Sequence, residues 1–202
     1  MERKRARTRD SLIAAAQQLL AVRSPDAVNV DEIVEIADVA KGTFYNYFND
    51  KDALIREVEA VARALIEQII TAANEDVTDA ATRVARAFAA GLGWAVTHQE
   101  QARMLMRMTP HFTDPDAAIN AGVRRDVHDG LTSERFKSVT EEAGVVLVLS
   151  VMHGGLNRAL DLEQRGKVRQ FGAPLSEALL VGLGLERAEA EKLAGEAMAD
   201  LI

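Results

Sequence analysis

The residue types best suited to chemistry lie close together in one segment, where residues 41–48 read KGTFYNYF. The chain has 1 Trp, 2 Tyr and 6 Phe, and this segment holds four of these aromatic residues, including both tyrosines. Phe44 and Phe48 are spaced i, i+4, which predicts a helix face anchored on a core. Tyr45 and Tyr47 flank that face and can donate their hydroxyl protons to phosphates.

Small and cationic residues in and near the same segment support contact with a nucleic acid. Gly42 has no side chain, so a duplex backbone can approach it closely, with exposed N–H groups facing a phosphate. Lys41 and Lys51 supply positive charge. The alternative is an aromatic helix packed in an unrelated bundle, which gives no reason for the glycine and the lysines to stand in this order.

The elements around this segment have the pattern of a helix-turn-helix. Residues 30–54 predict two short helices separated by a tight turn at 36–39, and a longer helix over 8–22 precedes them. Asn29 and Glu32 form a capping-box variant at the start of the first short helix. Asp38 lies where the turn requires a left-handed residue, which Asp tolerates better than most side chains.

These residues resemble the signature of the tetracycline-repressor (TetR) family of bacterial regulators. The resemblance rests on Ile33-Val34, on Val39 through Phe48, on Lys51 and Leu54, and on the leading helix LIAAAQQLL at 12–20. It implies a homodimer with a three-helix DNA-binding domain and a helical effector domain. Members of this family usually repress transcription and leave DNA when a small molecule binds.

The family's DNA contacts are carried over only at matching positions. Ala40 stands where a serine is common, Val30 where threonine is common, and Asp38 where glycine is usual, so the operator sequence does not follow from the resemblance. The residues expected to bind DNA are Lys41, Gly42, Thr43, Tyr45, Tyr47 and Lys51.

The charge distribution agrees with this interpretation better than the net charge of -7 does. Through Ala53 the chain has 8 basic and 9 acidic residues, and the remainder has 16 basic and 22 acidic. The acidity therefore lies mainly in the body, and the chain begins with a basic arm. A solvated tail and a phosphate-binding arm remain equal alternatives for its cations, which are Arg3, Lys4, Arg5, Arg7 and Arg9.

The rest of the chain predicts only helices. No alternating run bounded by turn residues predicts a strand, so the fold class is all-α. The resemblance implies a three-helix DNA-binding domain over 1–53 and a larger ligand-binding and dimerisation domain over 54–202. Prolines are expected at breaks between helices, with a flexible link at 165–172 before Pro174, and Gly130 is expected to end a helix over 115–129. The apolar helix over 141–164, with the 174–201 region, is the expected dimer interface.

The candidate effector-binding residues are spaced i, i+4 in the larger domain. Methionine and aromatic side chains form adaptable walls for a largely apolar small molecule, and a few polar groups orient it. The alternative is that the apolar members belong to the core and that the charged ones are solvated. The predicted ligand-binding residues are Trp94, His98, Met104, Met108, Arg124, His128 and His153.

Other chemistries find little support. Cys is absent, which excludes disulfides, thiolate zinc sites and cysteine nucleophiles. The four histidines are widely spaced, and the best metal cluster, His111 with Asp114 and Asp116, is weak. No serine or threonine lies in a catalytic motif, so we expect no enzyme, no catalytic or metal site and no cofactor.

The expected function is therefore a cytoplasmic, homodimeric DNA-binding regulator, most simply a repressor released from a palindromic operator by a small molecule. No apolar signal segment or bilayer-length run predicts a membrane partner. The alternative is a ligand-independent architectural DNA-binding protein, which would show little sequence preference. A helical enzyme would need polar residues converging in the body, and an adaptor would have no use for the cluster at 41–47.

Overall fold

The computed structural model describes residues 2–108, 114, 120–162 and 164–199, and within these ranges it contains α-helices, one short 3-10 helix at Pro25–Ala27, and no strand. The prediction of an all-α fold is confirmed. The helices are α1 (Glu2–Val22), α2 (Val30–Ile36), α3 (Lys41–Tyr45), α4 (Lys51–Ala73), α5 (Ala80–Thr97), α6 (Gln99–Met108), α7 (Ala121–Thr132), α8 (Glu141–Leu162), α9 (Arg165–Leu183) and α10 (Arg187–Ala199).

The chain forms two compact units, and the first consists of Met1–Leu65 with Glu100–Pro110. Its core is closed by fully buried side chains from α1, α2, α3 and α4, which are Leu12, Leu20, Ile33, Phe44 and Leu54. The predicted capping box is confirmed, because the Asn29 side chain accepts from the Glu32 N–H and the Glu32 side chain accepts from the Asn29 N–H. The predicted domain end at residue 53 falls near the start of α4, whereas the boundary between the units lies within that helix.

The turn between α2 and α3 has the conformation that the sequence predicts. Asp38 has φ 52°, in the left-handed region. The Ala37 N–H bonds to the Ile33 carbonyl and the Val39 N–H to the Val34 carbonyl, both at 3.0 Å, which satisfies the end of α2. This closed turn fixes where α3 begins.

The second unit, Ile66–Gln99 with His111–Ile202, is built around α5, which packs against α7, α8, α9 and α10. Glycine permits the close approach of α8, because a Cβ on Gly155 would lie 3.0 Å from the Phe88 ring. Gly155 therefore belongs to the interior of one protomer. Gly154 differs, since it is exposed and an added Cβ would meet no atom within 4 Å.

Three local expectations are wrong. Residues 165–172 form the start of α9 instead of a flexible link, and Pro174 lies inside that helix on its exposed side. The proline withholds one N–H from the helix, but packing of α9 against α5, α8 and α10 keeps it continuous. Gly130 does not end α7, which continues to Thr132; the glycine instead makes room for the Phe136 ring, which a Cβ would overlap.

Arginine networks, which the sequence patterns did not reveal, tie the second unit together. Arg83 on α5 contacts Asp126 at 2.7 Å and Asp129 at 2.6 Å, both on α7. Arg135 contacts Asp79 at 2.6 Å, and this carboxylate also caps α5 by accepting from the Thr82 N–H. Burial raises the pKa of Asp126, whereas Arg83 opposes the rise.

Among the described residues, one helix, Glu141–Leu162, is long and apolar enough to cross a membrane by length and composition alone. Interior packing accounts for part of that composition, since α8 lies against α5, α7 and α9 and 44% of the apolar stretch is buried. A core helix passes the same criterion, so this is weak evidence for a span.

Gly184, at the end of α9, gives a stability prediction. Its φ is +106°, and an added Cβ would lie 2.8 Å from the Lys137 backbone nitrogen, which cannot move aside. We expect Gly184→Ala to lower the free energy of unfolding in urea by about 3 kcal/mol through strain and overpacking. The matched control is Gly195→Ala on α10, where nothing lies within 4 Å. The control should raise the free energy of unfolding by up to about 1 kcal/mol. Equal stability of the two variants would contradict the strained, closely packed environment described for Gly184.

Candidate nucleic-acid interface

The core contacts of α3 decide which of its side chains face outward. Phe44 is fully buried and Phe48 is 5% exposed, and their rings lie 5.8 Å apart. This anchoring leaves Lys41 and Gly42 exposed and Tyr45 52% exposed. An exposed aromatic residue next to a cation forms a surface for a partner, with the tyrosine hydroxyl free to reach a phosphate.

Tyr47 follows the end of α3 and lies beside the first turns of α1. The Arg5 guanidinium is 5.9 Å from the centre of the Tyr47 ring, and the Arg9 guanidinium is 5.6 Å from the centre of the Phe48 ring. Arg9 also pairs with Glu57 at 2.8 Å. The basic segment is thus helical from Glu2 onward instead of a loose arm, and it places exposed Arg5 next to Tyr47.

Within the part of the chain that the structure describes, no contact or backbone angle requires a glycine at position 42. An added Cβ would meet no described atom within 4 Å, and its φ is not in the left-handed region. The approach of a partner to this open space remains a prediction. Ala40 is the N-cap of α3 and makes no side-chain capping bond, and Thr43 is half-buried.

The two predicted lysines stand in different surroundings. Lys51 donates to the carbonyls of Pro25 and Val28, at 2.9 and 3.0 Å, so it closes the loop before α2 and retains one proton for a phosphate. Lys41 instead pairs with Asp31 at 2.7 Å on the exposed surface. The hydrogen bond that Lys41 donates to the Asp31 carboxylate raises the pKa of Lys41, so its ammonium stays charged. Sequence reasoning missed Asp31, because no spacing rule links positions on two different helices.

Trp94 and His98 are the predicted effector residues that the second unit brings together. Their rings stack at 6.5 Å with an interplanar angle of 19°. Trp94 is 3% exposed, and its indole N–H has no hydrogen-bond partner among the described residues. His98 Nδ1 lies 2.8 Å from the Thr97 hydroxyl. A buried donor without a partner is costly, and a ligand acceptor would satisfy it.

The remaining predicted effector residues are dispersed. Met104 is fully buried and Met108 half-buried on α6, in the first unit. Arg124 and His153 are half-buried in the second unit. His128 lies on the surface, 63% exposed, 3.0 Å from Glu141. Its exposure and its partner give it the properties of a surface ion pair.

The His128 pair gives a pH prediction. The hydrogen bond and charge of Glu141 raise the pKa of His128 above 6.5. The pair's contribution to stability is therefore full below pH 6.5 and is lost as pH rises through the raised pKa. NMR titration should show this raised pKa, and Glu141→Gln should return it towards 6.5. An unchanged titration in that variant would show that Glu141 is not the partner.

No group of metal-ligating residues occurs within the described ranges. Two members of the weak histidine cluster, His111 and Asp116, lie outside those ranges, and Asp114 lies within them.

Comparison with known families gives two matches along the chain. The family model described as bacterial regulatory proteins, tetR family, matches residues 12–58. The model described as tetracyclin repressor-like, C-terminal domain, matches residues 79–196, which is more than half of the chain. The first match contains the whole of α2, the turn and α3.

Individual relatives agree with these matches. An uncharacterized HTH-type transcriptional regulator of Bacillus subtilis (strain 168), YdeS, is 40% identical over 62 residues, covering 28% of this chain and 31% of that protein. The match thus spans about a third of this curated relative.

Solved structures match over nearly the full length. RolR in complex with resorcinol is 26% identical, with a TM-score of 0.57 and 96% of each chain covered. A TetR family transcription regulator from Marinobacter aquaeolei VT8 is 17% identical, with a TM-score of 0.69 and 98% of each chain covered. A gamma-butyrolactone receptor is 16% identical, with a TM-score of 0.65, covering 96% of this chain and 98% of the receptor; the last two likenesses show the fold.

Proposed function

Because the chain belongs to the TetR family and is a DNA-binding transcriptional regulator, we propose that it is a homodimeric repressor that a small molecule releases from its operator. The observation that carries this proposal is the exposed surface of α3 and the turn after it, which a buried aromatic pair holds in place. The DNA and the regulator share the cytoplasm in this proposal, and no catalytic step is involved.

DNA recognition uses the segment 40–48 in the major groove. Tyr45, Tyr47 and the exposed Lys41 contact phosphates and fix the register of α3, while Thr43 faces the base edges. Gly42 lets the backbone approach, and Lys51 offers its remaining proton to a phosphate. A two-fold dimer then matches a pseudo-palindrome with half-sites about 34–36 Å apart, or a multiple of that distance.

The dimer interface uses the outward faces of α8 and α9. Val146, Ser150 and Gly154 are spaced i, i+4 on α8 and are exposed. Ala178 and Val181 are exposed on α9, and Val181 is 37% accessible. A self-complementary face of small and apolar residues suits a two-fold contact between copies.

The apolar pattern also assigns Leu156 to this interface, but Leu156 is only 6% exposed. A Cβ added to Gly91 would lie 3.7 Å from the Leu156 side chain. Leu156 belongs to the protomer core, so a charge at this position would unfold the protomer and would not report on dimerisation. The α8 contribution to the interface lies on the opposite side of the helix.

The effector site is centred on Trp94 and His98. A stacked indole and imidazole favour a flat, largely apolar molecule, and the indole N–H, which has no partner among the described residues, calls for an acceptor on that molecule. RolR, which was solved with resorcinol, is a relative whose ligand is a small aromatic compound with hydroxyl groups. Binding would favour one separation of the two DNA-binding segments in the dimer and so change operator affinity by population shift.

The proposed operator binding is tested by selecting bound duplexes from a random-sequence library and footprinting the protein on the selected sequences. We expect a pseudo-palindrome that is protected at low salt and lost steeply as salt rises. Equal retention of all sequences by a folded dimer would favour the architectural DNA-binding alternative. Absence of any binding at low salt would contradict the DNA-binding role of α3.

A further inference from the structure

A carboxylate stands beside the first cation of α3. Both carboxylate oxygens of Asp31 lie near Lys41 Nζ, Oδ1 at 2.7 Å and Oδ2 at 3.0 Å. The Asp31 side chain is 71% exposed and that of Lys41 is 53% exposed, so the pair lies on the surface that carries Tyr45 and Gly42.

The capping hydrogen bonds of α2 do not involve the Asp31 side chain. The capping positions are already occupied by Asn29 and Glu32, which bond to each other's backbone N–H groups. Glu32 is further neutralised by Arg23 at 2.6 Å. Asp31 lies in the first turn of α2, where its charge favours the helix dipole, but its described side-chain partner is a cation that the DNA complex would use.

The pair lowers the positive charge that α3 presents to any duplex. Non-specific affinity depends on how many cations neutralise phosphates, and it changes with salt accordingly. While Lys41 remains on Asp31, it does not count among those cations, and the carboxylate repels the phosphates nearby. An exposed ion pair is weak, so a phosphate or base edge brought within reach can displace it.

We propose that Asp31 is a positioning residue for Lys41, which holds its ammonium group on random DNA and releases it to the DNA on the operator. The inference rests on the proposed operator binding. On random sequence the complex is loose and the pair persists. On the operator, docking of Tyr45 and Tyr47 brings DNA within reach of Lys41, which then exchanges partners.

The test compares Asp31→Asn with the unmodified protein on two duplexes of equal length, the selected operator and a random sequence, over a range of salt. We expect Asp31→Asn to tighten random-sequence binding by at most about fivefold at low salt, which is the worth of an exposed ion pair, and to steepen its log–log salt slope by about 0.9 per protomer. The slope on the operator should not change, because Lys41 is already released there. Operator binding should tighten at least as much, because the unmodified protein must break the ion pair on the operator and Asp31→Asn removes that cost; the salt slope is therefore the distinguishing measurement.

Glu35→Gln is the matched control, because it removes the same charge one turn further along α2 from an exposed residue. It should change both affinities by the same small factor and leave both slopes unchanged. In a Lys41→Gln background, Asp31→Asn should no longer steepen the slope on random DNA.

An unchanged salt slope on random DNA in Asp31→Asn, or an effect of Glu35→Gln as large as that of Asp31→Asn, would overturn the inference while leaving operator binding intact. Failure of the unmodified protein to select any sequence would instead overturn the operator binding on which the inference rests. Circular dichroism of each variant confirms that α2 and α3 remain folded.

Discussion

Replacing Tyr47 with alanine is expected to weaken operator binding at least tenfold per half-site while leaving the protein folded. Tyr47 is half-buried and follows α3. Its loss removes a hydroxyl proposed to bond a phosphate and the ring beside Arg5. A hydrogen bond to a charged group contributes about 1.5–3 kcal/mol, and each 1.4 kcal/mol is a tenfold change in affinity. Fluorescence anisotropy with the selected operator measures the loss.

Tyr47→Phe separates the two contributions, because it keeps the ring and removes only the hydroxyl. If the phosphate bond dominates, Tyr47→Phe loses nearly as much affinity as Tyr47→Ala. If the contact with Arg5 dominates, only the alanine variant is weak. Unchanged binding by both variants would remove Tyr47 from the DNA interface, provided that urea denaturation shows unchanged stability.

The features of the DNA-binding domain that the sequence predicted depend on rules that relate residues close together in the chain. Asn29 and Glu32 are three residues apart, so their mutual capping follows from helix geometry, and the structure confirms it. The left-handed Asp38 follows from the few residues that a tight turn accepts. Phe44 and Phe48 could be assigned to the core from their i, i+4 spacing.

The parts that could not be predicted depend on contacts between distant segments. Lys51 has the charge expected of a phosphate ligand. However, two carbonyls that lie 23 and 26 residues earlier in the chain accept hydrogen bonds from its ammonium group. Pro174 satisfies the rule for a helix break, yet tertiary packing keeps α9 continuous through it. In the same way, α6 was expected in the larger domain but belongs with the first unit, where Arg107 donates to the Ala21 carbonyl at 3.1 Å.

Introducing a charge at Val181 is expected to dissociate the dimer and, at a fixed protomer concentration, to weaken operator binding by about 10²–10⁴-fold. Two-fold symmetry places the new carboxylate in the interface twice. A monomer also loses the second half-site, whose binding in the dimer is intramolecular. Val181→Glu should leave the protomer folded, because Val181 is 37% exposed and lies outside the core.

The matched control is Val61→Glu, the same substitution at a 43% exposed valine on α4. Sedimentation velocity should show a monomer for Val181→Glu and a dimer for Val61→Glu, and only the first should lose operator affinity. A dimer that survives Val181→Glu, and also survives a glutamate at Ala178, would move the interface away from α9. If the two α9 variants, Val181→Glu and Ala178→Glu, both fail to fold, the protomer is not stable alone. A urea transition of the unmodified protein that depends on protein concentration would then confirm α9 as part of an obligate interface.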